Sequence, residues 1–232
     1  KVSVEWNNRI LVAGVSGTGK SWLGIYILSQ YILQNKRKYY VFLSDNRSDY
    51  DKYNHNPQMR PKNLGFKLVE FGSEQANKKW NFAEILRRNN RLYIETGDLS
   101  SEEVQNLVDD LSQAFWQLGN GFFVIDEAWA FLNMRYPPKS YERLARGGRK
   151  NSVDVMAITQ RVVDIYPDIL SQYNLIVSFR LAELNDKMRI SRYFEDFREV
   201  KPDKIIGTLK QGEYIIKDTE QGWQERESTF NI

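Results

Sequence analysis

Short runs of apolar residues recur along the chain, separated by polar segments and by longer stretches with helical spacing. Runs of this length that are rich in β-branched and aromatic residues predict strands at residues 9–14, 39–44, 66–71, 91–95, 121–125, 153–159 and 174–179. Residues 2–6 could form a further edge strand. The runs at 121–125 and 153–159 are apolar at most positions instead of alternating, which is typical of strands buried on both faces of a parallel sheet.

Between these runs, apolar residues recur at helical spacing. This spacing predicts helices at residues 21–34, 100–118, 141–150 and 183–197. Ser100 and Glu103 fit a capping box at the start of the second helix, and Gly119 or Gly121 is expected to end it. Gly147 and Gly148 interrupt or end the third helix.

The C-terminal region predicts a small β-hairpin over residues 205–216, turning at Gln211 and Gly212. Strands and helices alternate through the rest of the chain, which predicts an α/β fold with a mostly parallel central sheet flanked by helices. A length of 232 residues suits a single domain over residues 1–232, with residues 200–232 as a C-terminal hairpin appendage.

Composition excludes several classes of protein. Hydrophobic residues make up 41% of the chain, which is enough for a core and unlike a disordered segment. The chain has no cysteine, so disulfides and thiolate metal sites are excluded, and its one histidine, His55, lies in a polar loop. No apolar run is long enough to span a bilayer, and we expect no signal peptide. A net charge of +3 is compatible with nucleic-acid binding without requiring it.

Residues 14–21 match the phosphate-binding pattern G-x-x-x-x-G-K-[ST] at every fixed position, after a predicted strand and before a predicted helix. Glycines permit positive φ and close approach of the backbone to phosphate, and Lys20 can reach the β and γ oxygens. The Ser21 hydroxyl can ligate Mg²⁺. A glycine-rich turn can match by chance, but the flanking elements favour phosphate binding. The residues expected to bind the nucleotide are Gly14, Ser16, Gly17, Thr18, Gly19, Lys20, Ser21 and Trp22.

A second chemical element follows the predicted strand at 121–125, which ends in Asp126 and Glu127. In P-loop enzymes, the first acid after such a strand holds Mg²⁺ and the neighbouring acid can polarise the attacking water. An Asp-Glu pair can also simply begin the next helix, because acids favour its positive end. With the phosphate-binding pattern upstream, the sequence favours Asp126 as metal ligand and Glu127 as catalytic base.

A third polar position lies at the end of the strand at 153–159, where Gln160 could sense the γ-phosphate or the attacking water. The helix before this strand carries several cations, among them Arg146 and Arg149. Residues 45–63 form a long polar loop, which in a compact domain is usually functional or mobile.

Together, these elements resemble the HerA/FtsK superfamily of hexameric DNA-pumping ATPases, and the HerA branch and viral genome-packaging ATPases most of all. The resemblance runs from about residue 9 to residue 192. It rests on the P-loop, on the strand that ends in Asp126, Glu127, Ala128 and Trp129, and most specifically on residues 145–161. The resemblance implies a RecA-like (ASCE) P-loop fold, ATP and Mg²⁺ as cofactors, and Gln160 as the sensor at the strand tip.

The resemblance also implies an arginine that acts in trans on the neighbouring subunit's nucleotide. Arg149 stands where the family places it, and Arg146, one helical turn away, is the alternative. A guanidinium supplied in trans stabilises charge in the transition state. A basic helix face that is simply solvated remains the other interpretation of both residues.

In function, the resemblance implies ATP-driven translocation of double-stranded DNA by a homo-oligomeric ring, which we expect to be a hexamer. The chain has no room for the N-terminal β-barrel or the long helical insertion of the longer HerA members, which favours a viral or plasmid-borne translocase. Such a protein would work in the cytoplasm, or on the virion, with a capsid or portal-like partner. Phosphate contacts could come from Lys52, Arg60 and Lys62 in the loop at 45–63, which could equally be solvated.

Two other functions stay open. The first is an ATPase that drives virion assembly or protein secretion, as in the zonula-occludens-toxin-like family, whose members usually carry a membrane span. The second is a nucleotide-gated scaffold without motor activity, against which Glu127 argues, because a protein that only binds ATP needs no catalytic base. A small-molecule kinase fits less well, since no lid or acceptor-site pattern is present.

Overall fold

A computed structural model describes residues 9–45, 57–76, 78–133, 135–196 and 200–227. The strands in these ranges are β1 (Arg9–Ala13), β2 (Tyr39–Ser44), β3 (Lys67–Phe71), β4 (Arg91–Thr96), β5 (Gly121–Ile125), β6 (Val153–Thr159), β7 (Leu175–Ser178), β8 (Tyr214–Asp218) and β9 (Trp223–Glu227). Within the described part of the chain they form one nine-stranded sheet in the order β3-β4-β2-β5-β6-β1-β7-β8-β9. The strands from β3 to β7 are parallel to their neighbours, and β8 and β9 pair antiparallel.

Helices connect the parallel strands. They are α1 (Lys20–Leu33), α2 (Ser73–Ala76), α3 (Phe82–Arg88), α4 (Ser101–Leu118), α5 (Ala128–Phe131), α6 (Lys139–Gly147), α7 (Pro167–Leu170), α8 (Leu184–Ser191) and α9 (Pro202–Thr208). Short 3₁₀ helices lie at Pro57–Met59 and Gly148–Asn151. The predicted α/β fold with a mostly parallel, helix-flanked sheet is therefore confirmed.

The sheet is buried on both faces, and the alternation within β5 divides its side chains between two cores. Phe122 and Val124 pack on the face covered by α1, whereas Phe123 and Ile125 pack on the face covered by α3 to α9. Strand β1 lies inside the sheet, where Val12 pairs with Ile158 of β6 and Val177 of β7. The continuous apolar runs of the sequence thus match strands that have core on both sides.

The start and end of α4 are those predicted. The Ser100 hydroxyl accepts a hydrogen bond from the Glu103 N–H at 3.3 Å, and the Glu103 carboxylate accepts one from the Ser100 N–H at 2.8 Å. Gly119, at φ 63°, follows the last helical residue, and β5 begins at Gly121. Because these hydrogen bonds are local, the sequence alone was sufficient to place them.

The predicted C-terminal hairpin is present, but its predicted position at residues 205–216 is wrong. Residues Pro202–Thr208 form α9, and the antiparallel hairpin joins β8 to β9 instead. Pro202 occupies the first turn of α9, and the buried residues Pro202, Ile205, Ile206 and Leu209 have helical spacing. The turn at Gln211 and Gly212 exists, but it connects α9 to β8.

Two further predictions differ from the structure or lie beyond it. The helix predicted at 183–197 is shorter, since α8 ends at Ser191. The edge strand predicted at residues 2–6 and most of the loop predicted at 45–63, including Lys52 and His55, lie outside the described residues. At the C-terminal side, β8 pairs with β7, so the last two strands continue the main sheet.

Candidate active site

The polar ends of four parallel strands meet at one edge of the sheet. The Gly14 N–H, just after β1, donates to the Thr159 carbonyl at the end of β6 at 3.0 Å, and the Asp126 N–H, just after β5, donates to the Leu43 carbonyl of β2 at 2.9 Å. Residues 14–21, Asp126, Glu127 and Gln160 therefore share the carboxyl edge, where open α/β sheets bind their ligands.

The backbone of residues 14–21 has the conformation that a phosphate-binding loop needs. Gly17 has φ 75° and Gly19 has φ 105°, both in the left-handed region that favours glycine. A Cβ at Gly14 would lie 2.7 Å from the Phe179 Cβ and from the Thr18 Oγ1, so this position admits no larger residue. Among the described residues no side chain caps the start of α1, which leaves its first N–H groups for a ligand.

The side chains of this loop differ in exposure. Ser16 and Gly17 are exposed, whereas Thr18 is buried and its hydroxyl donates to the Val15 carbonyl at 2.8 Å. Ser21 and Trp22 are half-buried at the start of α1. The Trp22 ring stacks on Tyr26, one turn further along the helix, with the ring centroids 5.4 Å apart.

The Lys20 side chain reaches the end of β5. Its Nζ lies 3.6 Å from Oε1 of Glu127, and the two side chains are 7% and 22% exposed. A cation this far removed from water needs an anionic partner, and in this structure Glu127 supplies it. The contact joins the phosphate-binding loop to the proposed catalytic base.

Three short-range features fix the position of Glu127. Its N–H donates to Oδ1 of the buried Asp126 at 2.9 Å, and its backbone adopts φ 47°, ψ 47°. A non-glycine residue in the left-handed region costs about 1 kcal/mol, and such strain is often found at functional sites. The indole Nε1–H of Trp129 donates to the second carboxylate oxygen of Glu127, Oε2, at 3.0 Å.

Trp129 is a site residue that sequence reasoning did not assign a role. Besides its hydrogen bond to Glu127, its ring lies 5.6 Å from the guanidinium carbon of Arg161, which directly follows Gln160. Arg161 also pairs with Asp164 at 3.0 Å. The indole therefore connects the tips of β5 and β6. The signal available in the sequence was a tryptophan two residues after the proposed base, where its side chain can turn back toward the strand tip.

A second residue to which sequence reasoning assigned no role is an acid at the end of β2. Loss of hydration, and then repulsion from the Glu127 carboxylate, raises the pKa of Asp45 above its ordinary value. Because β2 and β5 are neighbours, Asp45 and the Asp126-Glu127 pair follow adjacent strand ends. In the sequence Asp45 was only the first residue of a polar loop.

Gln160 is half-buried and directly follows Thr159, whose hydroxyl accepts a hydrogen bond from the Arg161 N–H at 3.1 Å. This bond turns the chain sharply at the end of β6. The turn holds Gln160 next to Gly14, since Thr159 accepts from the Gly14 N–H. The three chemical elements of the sequence thus come together in one place.

The class of the chain follows from its match to a protein family. Residues 101–225 match the AAA-like domain family, which is more than half of the 232 residues. The chain belongs to the AAA-like domain family. It is a P-loop ATPase of the HerA/FtsK type, as the resemblance in the sequence implies. No curated protein matches this AAA-like ATPase.

Solved structures share the fold across almost the whole chain. The DNA-packaging ATPase B204 from Sulfolobus turreted icosahedral virus matches with a TM-score of 0.69 at 17% identity, covering 98% of this chain and 100% of that one. The genome packaging NTPase B204 from Sulfolobus turreted icosahedral virus 2, in complex with ATP-γ-S, matches with a TM-score of 0.68 at 17% identity, covering 95% and 96%. VirB4 of Thermoanaerobacter pseudethanolicus matches with a TM-score of 0.67 at 11% identity, covering 96% and 90%. These matches establish the RecA-like fold of this AAA-like ATPase.

The arginines proposed to act in trans lie at the opposite edge of the sheet. Arg149 precedes β6, whose seven residues put about 20 Å between the two edges. The Arg149 side chain is 57% exposed and pairs with Glu220 at 3.2 Å, whereas Arg146 pairs with Glu142 at 2.6 Å. Neither arginine can therefore reach the phosphate-binding loop of its own chain.

The donors at the site fit Mg²⁺ bound together with a nucleotide. Within the described ranges no group of three or more acidic or histidine side chains could hold a metal ion alone. Mg²⁺ usually takes one or two protein oxygens and completes its shell with phosphate and water. Ser21 at the start of α1 and Asp126 at the end of β5 offer such oxygens beside the glycine-rich loop, where Gly17 and Gly19 have positive φ.

Proposed function

We propose that this AAA-like ATPase is a ring-forming motor that hydrolyses Mg-ATP on residues 14–21 and translocates double-stranded DNA without reading its sequence. The observation that carries the proposal is the 3.6 Å contact between Lys20 and Glu127, which supports a site where Lys20 binds phosphate and Glu127 acts as general base. Support for DNA as the cargo comes from the fold shared with B204, which is described as a DNA-packaging ATPase.

In the proposed reaction, backbone N–H groups of residues 14–21 and the start of α1 hold the phosphates, and Lys20 neutralises the β and γ oxygens. Ser21 and Asp126 would hold Mg²⁺, which when bound offsets charge on the phosphate oxygens. Glu127 accepts the proton of the attacking water, and Gln160 orients that water. The Lys20 ammonium must leave Glu127 for the phosphates, which frees the carboxylate to act as base.

A ring would complete this site with a group from the next subunit. Head-to-tail association presents different surfaces of each copy to its neighbours and closes into a ring when the rotation allows. Arg149, exposed at the edge opposite the phosphate-binding loop, suits a heterologous contact of this kind. We propose Arg149 as the arginine that acts in trans, Arg146 as the alternative, and a hexamer as the assembly.

DNA would be held through its phosphates. Contacts from lysine and arginine to phosphate position a duplex without reading base edges, which suits a pump that must pass any sequence. The loop at 45–63 remains the proposed contact, with Arg60 and the exposed Lys62 in its described part. A capsid or portal-like partner, and a location in the cytoplasm or on a virion, follow from this proposal. No helix in the described ranges is long and apolar enough to cross a membrane.

ATP turnover with and without linear duplex DNA tests the proposal. We expect stimulation by duplexes of unrelated sequence, because phosphates are the ligand. The stimulation should fall steeply as salt rises from low to moderate concentration, since phosphate contacts release counterions. Lys20→Ala should abolish both the basal and the stimulated rates. The matched control, Lys67→Ala on the exposed edge strand β3, should keep them. Turnover that ignores duplex DNA at every salt concentration would contradict the proposal.

A second function is favoured by one observation, the fold shared with VirB4 at a TM-score of 0.67. On this alternative, the ATPase drives assembly of a virion or secretion of protein. The same assay separates the two, because an assembly ATPase should hydrolyse ATP without stimulation by DNA. A nucleotide-gated scaffold should bind ATP and hydrolyse it only marginally. Replacing Glu127 would then change the rate of hydrolysis little.

A further inference from the structure

The order of strands gives a bound nucleotide a direction. Strand β1, which leads into residues 14–21, has β6 on one side and β7 on the other. The groups that act on the γ-phosphate, Asp126, Glu127 and Gln160, all follow β5 and β6. If ATP docks on residues 14–21 as proposed above, its triphosphate end points toward β6, and its base and ribose extend toward β7 and β8.

A tight turn lies on that side. Strand β8 runs antiparallel to β7, so its first residue, Tyr214, lies at the same edge as the phosphate-binding loop. The preceding turn is closed by the Glu213 N–H, which donates to the Lys210 carbonyl at 3.1 Å. The Lys210 N–H in turn donates to the Glu213 carboxylate at 2.9 Å. Gly212, at φ 80°, supplies the left-handed position that such a turn requires.

This turn is tied to the phosphate-binding loop. The Gly212 N–H donates to the Thr18 carbonyl at 3.2 Å, although nearly the whole chain separates the two residues. The Val15 N–H donates to the Arg180 carbonyl, just after β7, at 2.9 Å. Phe179, whose Cβ abuts Gly14, also packs on Tyr214 with ring centroids 5.5 Å apart. The turn therefore keeps a fixed position relative to the phosphates.

We propose that residues 210–213 form the wall of the nucleotide site that receives the base and ribose. Gly212 is buried against the phosphate-binding loop, while Lys210 and Gln211 are exposed beside it. The Gln211 amide and the peptide groups of the turn provide donors and acceptors of the kind that pair with a purine edge. Arg180, exposed at the end of β7, adds a cation on the same side.

Inorganic tripolyphosphate separates this wall from the phosphate site, because it has the three phosphates and lacks the nucleoside. We would titrate the full chain with ATP and with tripolyphosphate, both with Mg²⁺, by isothermal calorimetry. Gly212→Ala forces a Cβ onto a left-handed position and displaces the turn. It should weaken ATP binding about tenfold, which is a loss of about 1.4 kcal/mol. Tripolyphosphate affinity should change by less than about twofold, because tripolyphosphate has no nucleoside to contact the turn. Gln211→Ala should likewise weaken binding of ATP and leave binding of tripolyphosphate nearly unchanged.

The matched control is Gly222→Ala. Gly222 also has a positive φ, 72°, but lies in the β8–β9 turn, and a Cβ there meets nothing within 4 Å. It should change neither affinity. The inference would be overturned if the two turn variants lowered the affinities for ATP and tripolyphosphate equally, or if they changed neither affinity. Either result would leave ATP docking on residues 14–21 intact. A Lys20→Ala chain that binds ATP as tightly as the wild-type chain would instead contradict the docking on residues 14–21, on which the inference rests. Gln211→Ala keeps the test valid if Gly212→Ala fails to fold, because it leaves the backbone unchanged.

Discussion

Lys20 and Glu127 form an ion pair, with Nζ 3.6 Å from Oε1, across the space between the phosphate-binding loop and the end of β5. In this arrangement Lys20 is paired with Glu127 and not with phosphate, and Glu127 is paired with Lys20 and not with the attacking water. The nucleotide would take Lys20 from Glu127, so the base becomes available only when its substrate is present.

Replacing the carboxylate tests the base. Glu127→Gln keeps the shape of the side chain but cannot accept a proton, so turnover should fall about a thousandfold while ATP binding persists. Steady-state ATPase rates and calorimetry with ATP measure the two effects. Glu84→Gln, at an exposed pair with Arg88, is the control and should behave as wild type. Undiminished turnover in Glu127→Gln would remove it as the base.

Trp129 should act through Glu127. Trp129→Phe keeps an aromatic ring and loses the N–H donor, so kcat should fall about tenfold while KM for ATP is retained. In a Glu127→Gln background the same change should cost no further activity, because the carboxylate that it positions is gone. Trp116→Phe, whose indole lies 4.3 Å from the Arg143 guanidinium carbon at the other edge, is the control. An equal loss in both backgrounds would indicate a merely structural role.

If Arg149 acts in trans, rings assembled from two different inactive variants should recover ATPase activity. Arg149→Ala and Glu127→Gln chains should each be inactive as pure rings. In an equal mixture, roughly a quarter of interfaces join an intact Arg149 to an intact Glu127, so a corresponding fraction of ATPase activity should return. The same mixture made with Arg146→Ala tests the alternative residue. Mixtures of either kind that stay inactive at every ratio would rule out a shared site.

Asp45 should make stability depend on pH. Its pKa is raised in the folded chain, so folding favours the protonated acid, and that contribution is lost as pH rises through the raised pKa. Asp45→Asn removes the charge and should raise Tm at pH 7 relative to wild type, with a smaller gain at acidic pH where Asp45 is protonated. Thermal unfolding at several pH values measures this. Asp98→Asn, at an exposed position, is the control, and a gain independent of pH would contradict the assignment.

The sequence was sufficient for the parts of the fold and site that local physics determines. Strands β5 and β6 are apolar at nearly every position because both faces are covered, and the Ser100–Glu103 capping box is a contact within one helical turn. Parallel strands end at one edge, so a phosphate-binding pattern and two polar strand ends predict a common site. The family match and the mostly parallel sheet confirm the class and the fold.

Other features depend on contacts between distant residues. Ile205 and Ile206 are β-branched and precede a Gln-Gly turn, which suggested a strand, but their burial together with Pro202 and Leu209 decides for a helix. The hydrogen bond from Trp129 to Glu127 occurs together with a left-handed backbone at Glu127, which no local pattern of the sequence indicates. The hydrogen bond between Gly212 and Thr18 exists only because β8 folds back beside β7.

Displacement of a third strand from duplex DNA tests the central claim most directly. A triplex-forming oligonucleotide bound to a linear duplex is released when a motor travels through it, and no base recognition is needed. The account predicts release that requires ATP hydrolysis, occurs on duplexes of unrelated sequence, and disappears with Glu127→Gln. If the protein hydrolyses ATP on these duplexes as fast as on duplexes without a third strand, and the triplex nevertheless stays bound, the claim of translocation would be contradicted.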